Sequence, residues 1–149
     1  MTKLEAATQR YFAYGSNMWI EQMHERCPHA IPVGPARLDG YRFLINGDGY
    51  ATIVEDKESF TYGIEWLLSP SDEIALDGYE GVIRSFYTKT TLPIHAPQGN
   101  TRQAMVYIAS NNTPGPPARG YLVKILTGAR AFKLPAAYQD FLKRFQNHS

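Results

Sequence analysis

The chain is predicted to fold as an α+β protein, one domain over residues 1–149 with a mixed β-sheet or small β-barrel and flanking helices. Short runs rich in β-branched and aromatic residues succeed one another through its middle. Helical patterns are confined to the two ends and one short segment near residue 70. The 149 residues, 44% hydrophobic and 19% charged, suit a single core of ordinary globular composition.

Residues 9–14 read as the first strand. Residues 18–26 read as a helix, with Ile20, Met23 and Cys27 at i, i+3 and i+7 on one face. Asn17 stands where a helix cap belongs, and Pro28 stops the run. Residues 41–46, 50–54 and 60–68 read as strands, separated by turn-forming "GDG" and polar "EDKES". Ser69, Pro70, Asp72 and Glu73 then supply helix-start chemistry, with acids facing the positive end of the helix dipole. Gly78 is expected to end that helix, and Asp72, Glu73 and Asp77 to form its solvated face. "SFYTKTTLPI" and "RQAMVYIA" are two further strands, and residues 110–120 form a loop of turn residues. A helix over residues 121–126 is expected to end near Gly128. The last helix starts at Pro135 and aligns Tyr138, Phe141, Leu142 and Phe145 on a core-facing stripe.

Composition narrows the function classes. Fifteen Lys and Arg against fourteen Asp and Glu give a formal charge of +1, with no long run of either sign. A nucleic-acid or anionic-membrane partner normally leaves a basic stripe, so neither is expected. No apolar run approaches the ~20 residues of a membrane span, and "MTKLEAATQR" lacks the apolar core of a signal peptide. A reducing cytoplasm is the expected location. Cys27, the single cysteine, excludes an intrachain disulfide and reads as a packed thiol. His24, His29, His95 and His148 show no ligand spacing, so no metal site is expected.

Two places carry candidate chemistry. In "YGSNM", Tyr14 to Met18, a strand runs through a glycine turn into a helix start, which gathers backbone N–H groups where an anion or oxyanion can sit. On local pattern alone the same residues also read as a plain capped turn. The step lacks the Gly-Lys of a P-loop and the second glycine of a nucleophile elbow. A serine hydrolase using Ser16 needs a His–acid pair that the histidine positions do not offer. Glu80, in "LDGYEGV", lies between two glycines beside Tyr79 and Val82. Partial burial there would raise its pKa toward the range useful to a general base, whereas an ordinary loop glutamate would be solvated.

Taken together, these segments resemble the γ-glutamylcyclotransferase, or AIG2-like, family. "YFAYGSNM" resembles the family's N-terminal substrate loop, with Met18 where leucine is usual. "LDGYEGV" resembles the segment carrying the catalytic glutamate, and "GYLVKILTGARAFKLPAAYQDFL" the C-terminal segment with a site tyrosine. The resemblance implies a catalytic Glu80 and a substrate site formed by Tyr14, Gly15, Ser16, Asn17, Met18, Tyr87 and Tyr121. Trp19 resembles the related glutathione-degrading enzymes, while Asn17 and the "YEGV" context resemble the γ-glutamyl-amino-acid branch more closely.

The implied reaction is an intramolecular aminolysis: a γ-glutamyl amide cyclises to 5-oxoproline and releases an amine or amino acid. It needs a small-molecule γ-glutamyl substrate and no cofactor; a homodimer is left open. The Gly15–Asn17 turn could serve the oxyanion or the substrate's α-carboxylate. A binding module that keeps the pocket without catalysis is the alternative reading.

Overall fold

The structure, a computed structural model, describes residues 8–146; His148 and most of "MTKLEAATQR" lie outside that range. The strands are β1 (Gln9–Ala13), β2 (Ile31–Ile45), β3 (Ala51–Leu68), β4 (Tyr87–His95) and β5 (Thr101–Ala109), and they close into a barrel in the order β1-β3-β2-β4-β5. The seam is β1, antiparallel to β3 on one side and parallel to β5 on the other, where Tyr11 faces Met105. Four helices flank the barrel: α1 (Ile20–Arg26), α2 (Pro70–Tyr79), α3 (Tyr121–Ala131) and α4 (Ala136–Lys143). Phe12, Phe43, Ile53, Ile64 and Trp66 fill the core. The α4 stripe closes over it, with Phe141 and Phe145 edge-on to Phe43 at ring separations of 6.3 and 5.2 Å.

Three expectations are corrected, two by strand pairing and one by helix packing. β2 begins ten residues before residue 41 and includes Pro32 and Pro35. Prolines are tolerated because the strand shifts register between Pro32 and Gly34, and it pairs with β4 only at Arg37. The segments expected at 50–54 and 60–68 are one strand, β3. Asp39 pairs with Phe60 and Tyr41 with Glu55, so residues 56–59 of "EDKES" bulge opposite Gly40 rather than ending a strand. Finally, α3 continues past Gly128 to Ala131. A Cβ on Gly128 would lie 2.4 Å from the carbonyl carbon of Met18, so this glycine is where the helix backbone presses onto the turn after β1.

The seam holds a buried charge. Glu65 of β3, 1% exposed, accepts hydrogen bonds from Arg10 of β1 at 2.6 Å and from Arg102 of β5 at 3.1 Å. One carboxylate oxygen therefore ties together the three strands that close the barrel. At the start of α2, Ser69 and Asp72 form a reciprocal capping box; Asp72 is buried instead of lying on a solvated face. Glu73 and Asp77 are likewise engaged, gripping Lys89 of β4 at 2.6 and 2.9 Å. Cys27 packs between α1 and α2, its Sγ 3.6 Å from the Asp72 carbonyl, and burial pushes its thiol up to about 12.

Replacing both arginines (Arg10→Met with Arg102→Met) leaves Glu65 buried without a counter-charge. The expected loss at pH 7 is about 3–5 kcal/mol, read from urea unfolding. Either single replacement is expected to cost less than half of that, because one partner remains; additive single losses would contradict the shared-carboxylate picture.

Candidate active site

Beyond Ala13 the chain leaves the barrel through Tyr14 and Gly15 into a 3-10 turn, Ser16–Met18, before α1 begins at Ile20. Asn17 does not cap α1. The residue before the helix is Trp19, in an extended conformation and without a side-chain cap. Buried polar contacts outcompete capping for the Asn17 amide. It donates to the Tyr11 hydroxyl (3.0 Å) and accepts from Gln22 Nε2 (2.9 Å) and Arg26 Nη1 (3.1 Å). Gln22 Nε2 also donates to Ser16 Oγ at 2.7 Å. The backbone N–H of Asn17 makes no hydrogen bond among the described residues, which leaves a preoriented donor in the turn.

Glu80 sits at the opposite wall. It is the C-cap of α2, its N–H bonded to the Leu76 carbonyl at 2.8 Å. Gly81 follows at φ +65°, and a Cβ there would meet the Phe86 ring at 2.6 Å. The chain thus turns sharply at Gly81 and packs Phe86 beside the glutamate. Glu80 is partly buried, and burial pushes its carboxyl up to about 7, with Arg26 opposing the shift. Its position at the negative end of the α2 dipole acts in the same direction as burial.

Tyrosines complete the pocket, which is lined by Tyr11, Tyr14, Gly15, Ser16, Asn17, Ala51, Glu80, Tyr87, Tyr107 and Tyr121, together with Phe12. Ala51, at the start of β3, anchors two rings: Tyr87 donates to its carbonyl (2.8 Å), and its N–H donates to the Tyr121 hydroxyl (3.1 Å). Tyr14 donates to the Tyr107 carbonyl, and Tyr107 in turn donates to Asp77 at 2.7 Å. Burial pushes the Tyr121 phenol up to about 12 and raises Tyr11, Tyr14, Tyr87 and Tyr107 as well, so these hydroxyls stay protonated near neutrality. Tyr11 accepts a hydrogen bond from the Asn17 amide and Tyr121 from the Ala51 N–H.

Of the expected site residues, Tyr14, Gly15, Ser16, Asn17, Glu80, Tyr87 and Tyr121 meet in this one pocket. Met18 does not; it is fully buried and braces the turn against α3. Sequence reading missed Tyr11, Tyr107, Ala51, Gln22 and Arg26. Gln22 and Arg26, four residues apart, share a face of α1, and that polar pair was the signal available for them. Among the described residues, no three His, Cys, Asp or Glu side chains are grouped as they would be for a metal ion.

The sequence model of the AIG2-like family matches residues 61–142, which span α2, Glu80, Tyr87 and Tyr121. The chain is 30% identical to mouse (Mus musculus) γ-glutamylcyclotransferase, covering 95% of this chain and 81% of that protein. The chain belongs to the AIG2-like, or γ-glutamylcyclotransferase, family. The human (Homo sapiens) γ-glutamylcyclotransferase is also 30% identical, over 91% of this chain and 78% of its own length. A solved structure titled γ-glutamyl cyclotransferase superposes with a TM-score of 0.89 at 28% identity, covering 95% of this chain and 90% of that one. The five-stranded barrel is thus the AIG2-like fold.

A raised carboxyl pKa has a sign for stability that can be measured apart from activity. The folded protein holds the Glu80 proton more tightly than the unfolded chain, so this group's contribution is most favourable below about 4.5 and is lost as pH rises through about 7. Glu80→Gln removes that loss. The variant is expected to melt higher than the wild type at pH 8, with the difference closing by pH 4.5. A difference independent of pH would contradict the burial of this carboxyl.

Proposed function

We propose that this protein is a cyclotransferase that converts a γ-glutamyl amide to 5-oxoproline and a free amine or amino acid, with Glu80 as the general acid and base. The observation that carries the reading is a carboxyl with its pKa pushed up to about 7, facing the Gly15–Asn17 turn across a pocket of tyrosine hydroxyls.

The chemistry asks little else of the protein. The substrate's α-ammonium must lose a proton before its nitrogen can attack the γ-carbonyl carbon of the same molecule. A free α-amine has a pKa of ~7.7–8.0, so a carboxylate of pKa near 7 takes that proton with little driving force against it. A new C–N bond closes the ring, the amide C–N bond breaks, and Glu80 returns the proton to the departing nitrogen; the second proton that the ring nitrogen sheds as the lactam forms ends on the same amine, which leaves as an ammonium. The carbonyl oxygen becomes an oxyanion in between. The Asn17 N–H is preoriented to stabilise it, and losing one such donor typically costs ~3 kcal/mol in the transition state. Tyr11 and Tyr121 have protons for the substrate's carboxylate. Because nucleophile and electrophile share one molecule, holding the substrate folded supplies much of the rate.

Glu80→Gln is expected to fold normally and lose about 10²-fold or more in kcat on γ-glutamyl-alanine, followed as 5-oxoproline. In the wild type, kcat/KM is expected to fall about tenfold per pH unit below 7, where Glu80 takes up a proton. Full turnover in the variant would remove Glu80 from the mechanism. Ligand binding without 5-oxoproline from any of γ-glutamyl-alanine, glutathione or a γ-glutamylamine would favour a non-catalytic binding module.

A further inference from the structure

The tyrosine pocket opens outward into a second, much larger cavity of about 590 Å³, against about 40 Å³ inside. Ser16, Glu80, Tyr87 and Tyr121 line both, so the two are continuous across the proposed reacting centre. A γ-glutamyl group held in the inner pocket projects its amide substituent, the leaving group, into the outer one.

The outer walls have a definite chemistry. Tyr50, Tyr79 and Phe86 line them and are 46%, 58% and 57% exposed. Ile83, 98% exposed, lies on the same turn as Phe86. Large apolar side chains held open to water at the mouth of a cavity mark a surface that gains by being covered. Two cations face the cavity, Arg26 and Lys124. Arg26 is occupied, bonded to Asn17 and stacked 4.6 Å from the centre of the Tyr79 ring. Lys124 is half-buried and makes no hydrogen bond or ion pair among the described residues. It lies one turn beyond Tyr121 on the same face of α3, which puts its ammonium outside the inner pocket. Asp48 also lines the cavity but is exposed on the β2–β3 turn, where solvent screens it more than Lys124.

Resting on the cyclotransferase reading, we propose that the outer cavity is a leaving-group subsite for an amino acid with an aromatic or large apolar side chain, and that Lys124 pairs with that amino acid's carboxylate. The aromatic rim takes the side chain. The free ammonium distinguishes a γ-glutamyl-amino acid from a γ-glutamylamine, which has no carboxylate to pair with it.

Three substrates separate the parts: γ-glutamyl-phenylalanine, γ-glutamyl-alanine and γ-glutamyl-phenethylamine, which is the first without its carboxylate. Wild-type kcat/KM is expected to be about tenfold or more higher for γ-glutamyl-phenylalanine than for either of the others. Lys124→Met is expected to raise KM for γ-glutamyl-phenylalanine and to bring its ratio to γ-glutamyl-phenethylamine close to one. It should leave the phenylalanine-to-alanine preference in place, an outcome that general damage to the site would not produce. Equal wild-type rates on all three, or a Lys124→Met loss shared equally by all three, overturns the subsite while leaving the cyclotransferase intact. No 5-oxoproline from any of them overturns both.

Discussion

The barrel depends on one buried carboxylate. Glu65 of β3 collects Arg10 from its neighbour β1 and Arg102 from β5, the next strand beyond β1, at the seam where a five-residue strand must close the sheet. Burying a charge is costly, and two guanidinium partners offset that cost without making it a strong source of stability. Its larger value is in register. Successive side chains alternate between faces, so a one-residue slip of β1 would carry Arg10 to the wrong side and leave Glu65 with Arg102 alone. The site inherits this constraint, because the Gly15–Asn17 turn hangs directly from the end of β1.

The same chain treats a second acid in the opposite way. Among the described residues Glu80 has no hydrogen-bonded cation, and the basic group that influences it, Arg26, is held by Asn17 and Tyr79. Glu65 is matched with positive charge; Glu80 is left to take up and release a proton near neutrality. The contrast comes from placement: one stands in mid-strand between arginines, the other at the electronegative end of a helix beside a ring of phenols. Their hydroxyls are themselves fixed by strand backbone, at Ala51 and Tyr107, so the pocket's polarity is set by the barrel as much as by its loops.

How much of this was legible in the sequence follows from the range of each interaction. Ser69, Pro70 and Asp72 announced α2 because a capping box lies within four residues of chain. The α4 stripe was legible for the same reason. The Gly-Ser-Asn turn and Glu80 could be singled out by resemblance, but local rules pulled both toward ordinary readings. What the sequence hid was long-range. Pro32 and Pro35 argue against a strand until the partners of β2 are known, and Gly128 reads as a helix stop until Met18 is seen against it. Asn17 had every mark of a cap, yet its amide is taken by Tyr11, Gln22 and Arg26, none of which a capping rule can anticipate.

Cys27 gives the fold a built-in clock. The protein's one thiol is buried against α2, with its proton held tightly, so the thiolate that reacts with alkylating reagents is scarce on both counts. Labelling must wait for that buried contact to open. The rate of alkylation therefore times an opening of that seam. The helices it separates carry Gln22 and Arg26 on one side and Glu80 on the other, so a single chemical reporter, already in the sequence, follows the integrity of the pocket's two walls.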